Sequence, residues 1–284
     1  MCMEEKDCAL ENPERRDFLL GAAATFATLT LFGANGSAQE LPKNLPTRVL
    51  DNPNIWHGKV SFNNGNEEIG GYLARPKSEK KKHKAVLVIA GNLITEEYIP
   101  NTCAALAVAG YVGLAPNIWH TVPESAKTPA EIAKSIENRK EDDFLQDIRS
   151  GAEYLETLQF VKSDKLGILG FCSGGRRAML YAARYEKGIK AVIPFHPSKM
   201  NAEEISNLKA PVQIHQGTAD RHIPVAETKE LERMLKEQGT FAEVYFYEQA
   251  DHGFLAYTRP YYKPDAAILA WKRTVEFLNK NLKK

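Results

Sequence analysis

Cysteine is scarce in this chain: 284 residues carry four, and two of these, Cys2 and Cys8, fall near the start. No CxxC pair occurs and the histidines are dispersed, so neither a disulfide framework nor a zinc module is available. No metal or other cofactor is expected. Charge of one sign is lacking too, since 37 Lys+Arg stand against 36 Asp+Glu for a net +1. Such a balance provides no field to draw nucleic acid or an acidic membrane, and a small molecule is the expected partner. The densest basic run, Lys80 to Lys84, lies between two strand candidates and reads as a solvated loop. Internal repeats and long low-complexity tracts are absent. What is there is 43% hydrophobic content over a length that suits a single α/β domain.

An uncharged stretch, Phe18 to Ala38, directly follows Arg15-Arg16-Asp17 and ends in Gly36-Ser37-Ala38. Its Ala, Gly and Thr content makes it less apolar than a membrane span, and its small terminal residues suit a signal peptidase. It resembles a twin-arginine export signal. That resemblance implies a signal over residues 1–38, a lead-in over 39–57, engagement of the export machinery, and a periplasmic protein. A signal left uncleaved would anchor the chain to the membrane. Cleavage would leave Cys103 and Cys172, for which a bridge is conceivable, although Cys103 falls in a helical segment where packing is the expected role.

Beyond the lead-in, Lys59 to Asn63 and Ile69 to Arg75 flank Asn64-Gly65, a pair suited to a tight hairpin of antiparallel strands. Short apolar runs follow at Ala85–Ala90, Tyr111–Ala115, Leu166–Gly170, Ala191–Phe195, Val212–His215 and Ala242–Tyr247. Buried parallel strands have this character. Between them, Ile99–Ala109, Pro129–Leu158, Arg176–Tyr185, Val225–Gln238 and Asp265–Leu282 have helical amphipathic spacing. The expected fold is α/β: a doubly wound, mostly parallel sheet led by an N-terminal antiparallel hairpin. Function then belongs at the carboxyl ends of the strands.

One such end reads Gly170-Phe171-Cys172-Ser173-Gly174-Gly175. A nucleophile on a sharp strand-to-helix turn needs small residues on either side, because the backbone is crowded there. The turn puts Cys172 at a helix N-terminus, where N–H groups favour a thiolate. A small buried hydrophobe is the alternative role for a lone cysteine. Spacing favours the nucleophile, because an acid and then a base are required downstream. Asp220 in Gln216-Gly-Thr-Ala-Asp220 and His252 in Asp251-His252-Gly253-Phe254 each follow a strand-like run in that order. Ser173 is a rival nucleophile only if the turn is read one residue out of register.

These three motifs together resemble the dienelactone hydrolase family of α/β hydrolases, over roughly residues 58 to 282. The resemblance implies a Cys172–His252–Asp220 triad that cleaves a small ester or lactone through a thioester. In this fold the backbone N–H groups of Ser173 and Asn92 are the expected oxyanion donors. Two departures stand out. The family commonly carries Glu at the position of Gly91, and an arginine that holds the substrate carboxylate falls on Ala256. Arg259, Arg176 and Arg221 lie near in sequence, while Trp119, His196 and Phe254 are the candidate pocket residues. The departures motivate an alternative: an exported, catalytically weak binding or scavenging protein on the same fold.

Overall fold

A computed structural model describes residues 48–282, apart from 66, 79–81, 92–96, 124, 127 and 186–187. The expected signal segment, residues 39–47 of the expected lead-in and the expected oxyanion donor Asn92 lie outside the described residues.

Among the described residues the first elements are β1 (Ile55–Asn63) and β2 (Glu68–Pro76), an antiparallel pair in continuous register from Ile55 opposite Pro76 to Asn63 opposite Glu68. There follow β3 (His83–Ile89), α1 (Tyr98–Val108), β4 (Val112–Pro116), α2 (Pro129–Ser135) and α3 (Glu141–Thr157). Next come β5 (Val161–Phe171), α4 (Ser173–Arg184), β6 (Ile189–Phe195) and α5 (Ala202–Ile205). The remainder is β7 (Val212–Gly217), α6 (Val225–Glu237), β8 (Ala242–Tyr247) and α7 (Pro264–Leu282). The strands form one sheet in the order β1-β2-β4-β3-β5-β6-β7-β8. Pairings from β4 through β8 are parallel, and β2 meets β4 antiparallel. This is the expected mostly parallel sheet, with the antiparallel hairpin at its start.

The continuous apolar runs become central strands because helices cover both sheet faces: Ala85 to Ile89 of β3 are fully buried. Strand order reverses around β3, which lies between β4 and β5 although both follow it in sequence. A crevice opens at the carboxyl ends where neighbouring connections leave in opposite directions. Ile89 pairs with Gly170 there, bringing the exit of β3 beside the exit of β5.

Two helical expectations need correcting. The segment 129–158 is not one helix but α2 and α3, separated near 136–140. Each piece has its own start. Thr128 caps α2, its hydroxyl accepting from the Glu131 N–H at 3.2 Å, and the Asp143 carboxylate accepts the Lys140 N–H at 2.8 Å at the head of α3. Arg139 pins the break by donating to the Ile118 carbonyl and to Asp147, both at 2.6 Å. The helix after β5 also begins at Ser173, earlier than Arg176, because Cys172 itself occupies the N-cap position. Short α5 was not anticipated, although Asn201 and Glu204 spell a capping box.

Candidate active site

Cys172 joins β5 to α4 with φ 52° and ψ −121°, a left-handed φ that costs a side-chain-bearing residue energy. The surrounding glycines make the turn possible. A Cβ on Gly170 would lie 2.3 Å from the Gly174 carbonyl oxygen, and one on Gly174 would lie 2.3 Å from the oxygen of Ile89. The Ser173 hydroxyl donates to the Gly91 carbonyl at 2.9 Å, tying the turn to the exit of β3. Burial raises the Cys172 thiol pKa, but the His252 imidazole, the Ser198 hydroxyl and the Ser173 N–H outweigh it, so the net shift is downward. The Ser198 hydroxyl oxygen is 3.9 Å from the sulfur.

Asp220 lies in the turn after β7, its side chain fully buried and its acceptor capacity used. One carboxylate oxygen accepts the N–H groups of His222 and Ile223 at 2.8 Å each. The other accepts from the Gln216 amide at 3.2 Å and from His252 Nδ1 at 2.9 Å. Burial opposes ionisation, yet these bonds prevail and bring the carboxyl down to about 2. With Nδ1 bonded to Asp220, His252 has Nε2 left for the thiol. Burial favours a neutral ring, but Asp220 and the Cys172 sulfur together push His252 up to about 9.

A cavity of about 110 Å³ opens over Cys172 and His252. Phe171, Leu255 and Ala256 give it apolar walls, and Tyr98, Arg259 and Tyr261 give it a polar rim. His196 forms part of the lining beside the catalytic candidates. Its ring stands 4.1 Å from that of His252, centroid to centroid, and its backbone takes the left-handed φ of 37°. Both ring nitrogens are buried without a hydrogen-bond partner among the described residues, a situation that costs about 1–3 kcal/mol per unsatisfied group. Burial, assisted by the charge of His252, drives its pKa down to about 3 and keeps the ring neutral.

The structure therefore brings Cys172, Asp220, His252, Ser173 and His196 together, and it separates the other two pocket candidates. Trp119 is packed behind the turn: its indole donates to the Ala90 carbonyl at 3.1 Å and meets the Arg177 guanidinium. Phe254 is fully buried against Tyr247 and Phe195, while its neighbours Gly253, Leu255 and Ala256 face the cavity. Of the three nearby arginines, Arg259 lines the cavity, Arg176 pairs with Glu141 and Glu204, and Arg221 lies beside Asp251. Cys103 is a free, buried cysteine whose backbone packs against Gly113.

The Gly91 departure has a steric counterpart. A Cβ there would meet the Phe171 carbonyl oxygen at 2.5 Å and the Cys172 Cβ at 3.0 Å, so this backbone leaves no room for a side chain. Glu97, a conceivable substitute, instead pairs with Arg48 and accepts from Tyr257. Sequence inspection missed Tyr98, Tyr261 and Ser198. Tyr98 carried a usable signal as the first residue of a helix that starts at a strand's carboxyl end.

The family described as the dienelactone hydrolase family matches residues 69–282. A protein of Synechocystis named as a carboxymethylenebutenolidase is 28% identical over 240 residues, covering 79% of this chain and 96% of the relative. One from Bradyrhizobium, named as a 2-oxo-3-(5-oxofuran-2-ylidene)propanoate lactonase, is 30% identical over 233 residues, covering 78% and 94%. Among solved structures, one from Klebsiella pneumoniae titled as a dienelactone hydrolase superposes with a TM-score of 0.75 at 25% identity. It covers 80% of this chain and 99% of its own.

Proposed function

The chain belongs to the dienelactone hydrolase family and is a lactone and ester hydrolase of that type, and from that premise we propose that Cys172 is its nucleophile, His252 its proton carrier and Asp220 the group that orients His252. The observation that carries this reading is that His252, bonded to Asp220 at 2.9 Å, lines the same cavity as Cys172. In the first half-reaction a sulfur–carbon bond forms at the substrate carbonyl. The oxyanion is received by the Ser173 N–H; the second expected donor, Asn92, lies outside the described residues. Collapse breaks the carbon–oxygen bond, and His252 Nε2 delivers its proton to the departing oxygen. A water that returns a proton to His252 then attacks the thioester, releasing the acid and restoring the thiolate.

The cavity favours a small substrate, and its lining combines apolar Phe171, Leu255 and Ala256 with Tyr98, Arg259 and Tyr261. This pairing suits an unsaturated lactone or short ester whose far end carries a carboxylate. Arg259 would take the place of the arginine that Ala256 displaces. The test is hydrolysis of short aryl esters and unsaturated lactones, with and without a carboxylate, by the protein and by Cys172→Ala. Turnover lost in the variant supports the assignment; equal turnover in both would remove Cys172 from the chemistry.

Residues 1–38 are further proposed to direct export to the periplasm through the twin-arginine machinery, on the strength of Arg15-Arg16 and the uncharged stretch ending at Ala38. Cell fractionation with mass measurement of the mature chain tests this: a cytoplasmic, full-length product would refute it.

A further inference from the structure

The nucleophile assignment uses one sulfur and one imidazole of the cavity and leaves His196 without a task. The residue is 3% exposed, its ring stands 4.1 Å from that of His252, and both ring nitrogens are buried and unpartnered among the described residues. An imidazole that makes no hydrogen bond still holds a lone pair. The donor atoms of Cys172, His196 and His252 all lie within 4.8 Å of one another. Tetrahedral zinc, with a sulfur at about 2.3 Å and imidazole nitrogens at about 2.0–2.1 Å, needs those donors roughly 3.3–3.6 Å apart. Side-chain rotation of about an ångström closes the difference.

We propose that Cys172 Sγ, His252 Nε2 and a ring nitrogen of His196 form a three-ligand site for a soft metal ion, with Zn²⁺ as its natural probe, and that an ion held there silences hydrolysis. One thiolate and two neutral imidazoles are a donor set that selects zinc or copper(I) over magnesium or calcium. Asp220 completes the arrangement from outside, since its carboxylate accepts from His252 Nδ1 at 2.9 Å and so fixes the tautomer that a metal-bound imidazole requires. The fourth coordination position faces the cavity, where water can occupy it. On binding, a metal–sulfur bond and two metal–nitrogen bonds form, and the proton shared by Cys172 and His252 passes to solvent. No atom changes oxidation state. The sulfur lone pair committed to the metal is the one that hydrolysis needs, so occupancy and turnover exclude each other. The three residues are far apart in sequence and match no metal-binding spacing.

The experiment is titration of the purified full-length protein with Co²⁺ and then Zn²⁺. The expected result is a sulfur-to-cobalt charge-transfer band that saturates at one ion per chain, is displaced by Zn²⁺ and is missing in Cys172→Ala. His196→Phe, with folding checked by circular dichroism, should weaken zinc by more than about 100-fold. Asp220→Asn should weaken it by about 10–100-fold, as loss of an outer partner does. Hydrolysis should stop at one equivalent of zinc and return on chelation. The cobalt spectrum requires no substrate, so it tests the metal site even if the hydrolase assignment fails. Absence of the band, zinc affinity unchanged in folded His196→Phe, or full turnover with zinc bound would overturn the proposal.

Discussion

At the scale of residues, the site rests on a charge arrangement that burial opposes and hydrogen bonds enforce. Asp220 accepts four hydrogen bonds, one of them from His252. Asp220→Asn should therefore leave the fold intact while lowering kcat by on the order of 10³–10⁴-fold, because the amide no longer fixes the productive tautomer. Steady-state kinetics on an activated ester checks this, and an unchanged kcat would dismiss the orienting role. The pH profile follows from His252, held charged up to about 9 rather than 6.5. Its raised pKa contributes stability fully present below about pH 6.5 and lost as pH rises through about 9. Asp220, lowered from 3.8 to about 2, has the opposite sign: its contribution is present above about 3.8 and lost as pH falls through about 2. Under the proposed mechanism, hydrolysis of an ester with a poor leaving group should accordingly decline above about pH 9, where His252 loses the proton it would deliver to the departing oxygen. Rate measurements that continue to climb past that pH would contradict this. The placement of Cys172, Asp220 and His252 after strands was legible in sequence, because small or turn-forming neighbours mark each position. His196 was read as pocket lining, but its contact with His252 depends on a left-handed backbone that no spacing reveals. Trp119 and Phe254 misled because an aromatic at a strand end can turn toward the core as readily as toward the cavity.

At the scale of elements, the turn from β5 into α4 sets the position of the sulfur, and the exit of β3 presses against it. Gly91 shares this contact, since any Cβ there would collide with Phe171. Gly91→Glu, the change that restores the family's carboxylate in sequence, should give no gain in hydrolysis and should destabilise the protein by about 1–3 kcal/mol, the usual penalty for overpacking. Denaturant unfolding and ester kinetics read the two effects. Faster hydrolysis at undiminished stability would mean that the loop yields and that a carboxylate is accommodated. The strands were legible from their apolar runs to within a few residues, and α1, α6 and α7 nearly so. The break between α2 and α3 was not, because it is fixed by Arg139 reaching Ile118 and Asp147 rather than by a proline or glycine within the segment.

At the scale of the whole molecule, the hairpin and the central sheet are joined by a buried polar cluster. Asp147, 1% exposed, accepts from the Asn64 amide at 2.9 Å and from Arg139 at 2.6 Å, and lies 3.1 Å from His120 Nε2. These partners come from the β1–β2 turn, the segment after β4 and the gap between α2 and α3. Removing the carboxylate strands them all, so Asp147→Ala should cost about 3–5 kcal/mol in denaturant unfolding. A change below about 1 kcal/mol would deny the cluster its structural part. The cluster could not be read from sequence, because its members are spread over the chain and carry no common motif. Fold class was legible from alternating strand and helix patterns, whereas the placement of β3 between β4 and β5 emerges only when connections on both faces are traced.

The most direct test of the central claim is intact-protein mass spectrometry during turnover of a slowly released aryl ester, followed by peptide mapping. The account predicts a single acyl group on the peptide that contains Cys172, formed at the burst rate of product release and labile to hydroxylamine, with none in Cys172→Ala. Hydrolysis at a normal rate with the acyl group on Ser173, or with the same turnover in the alanine variant, would contradict it.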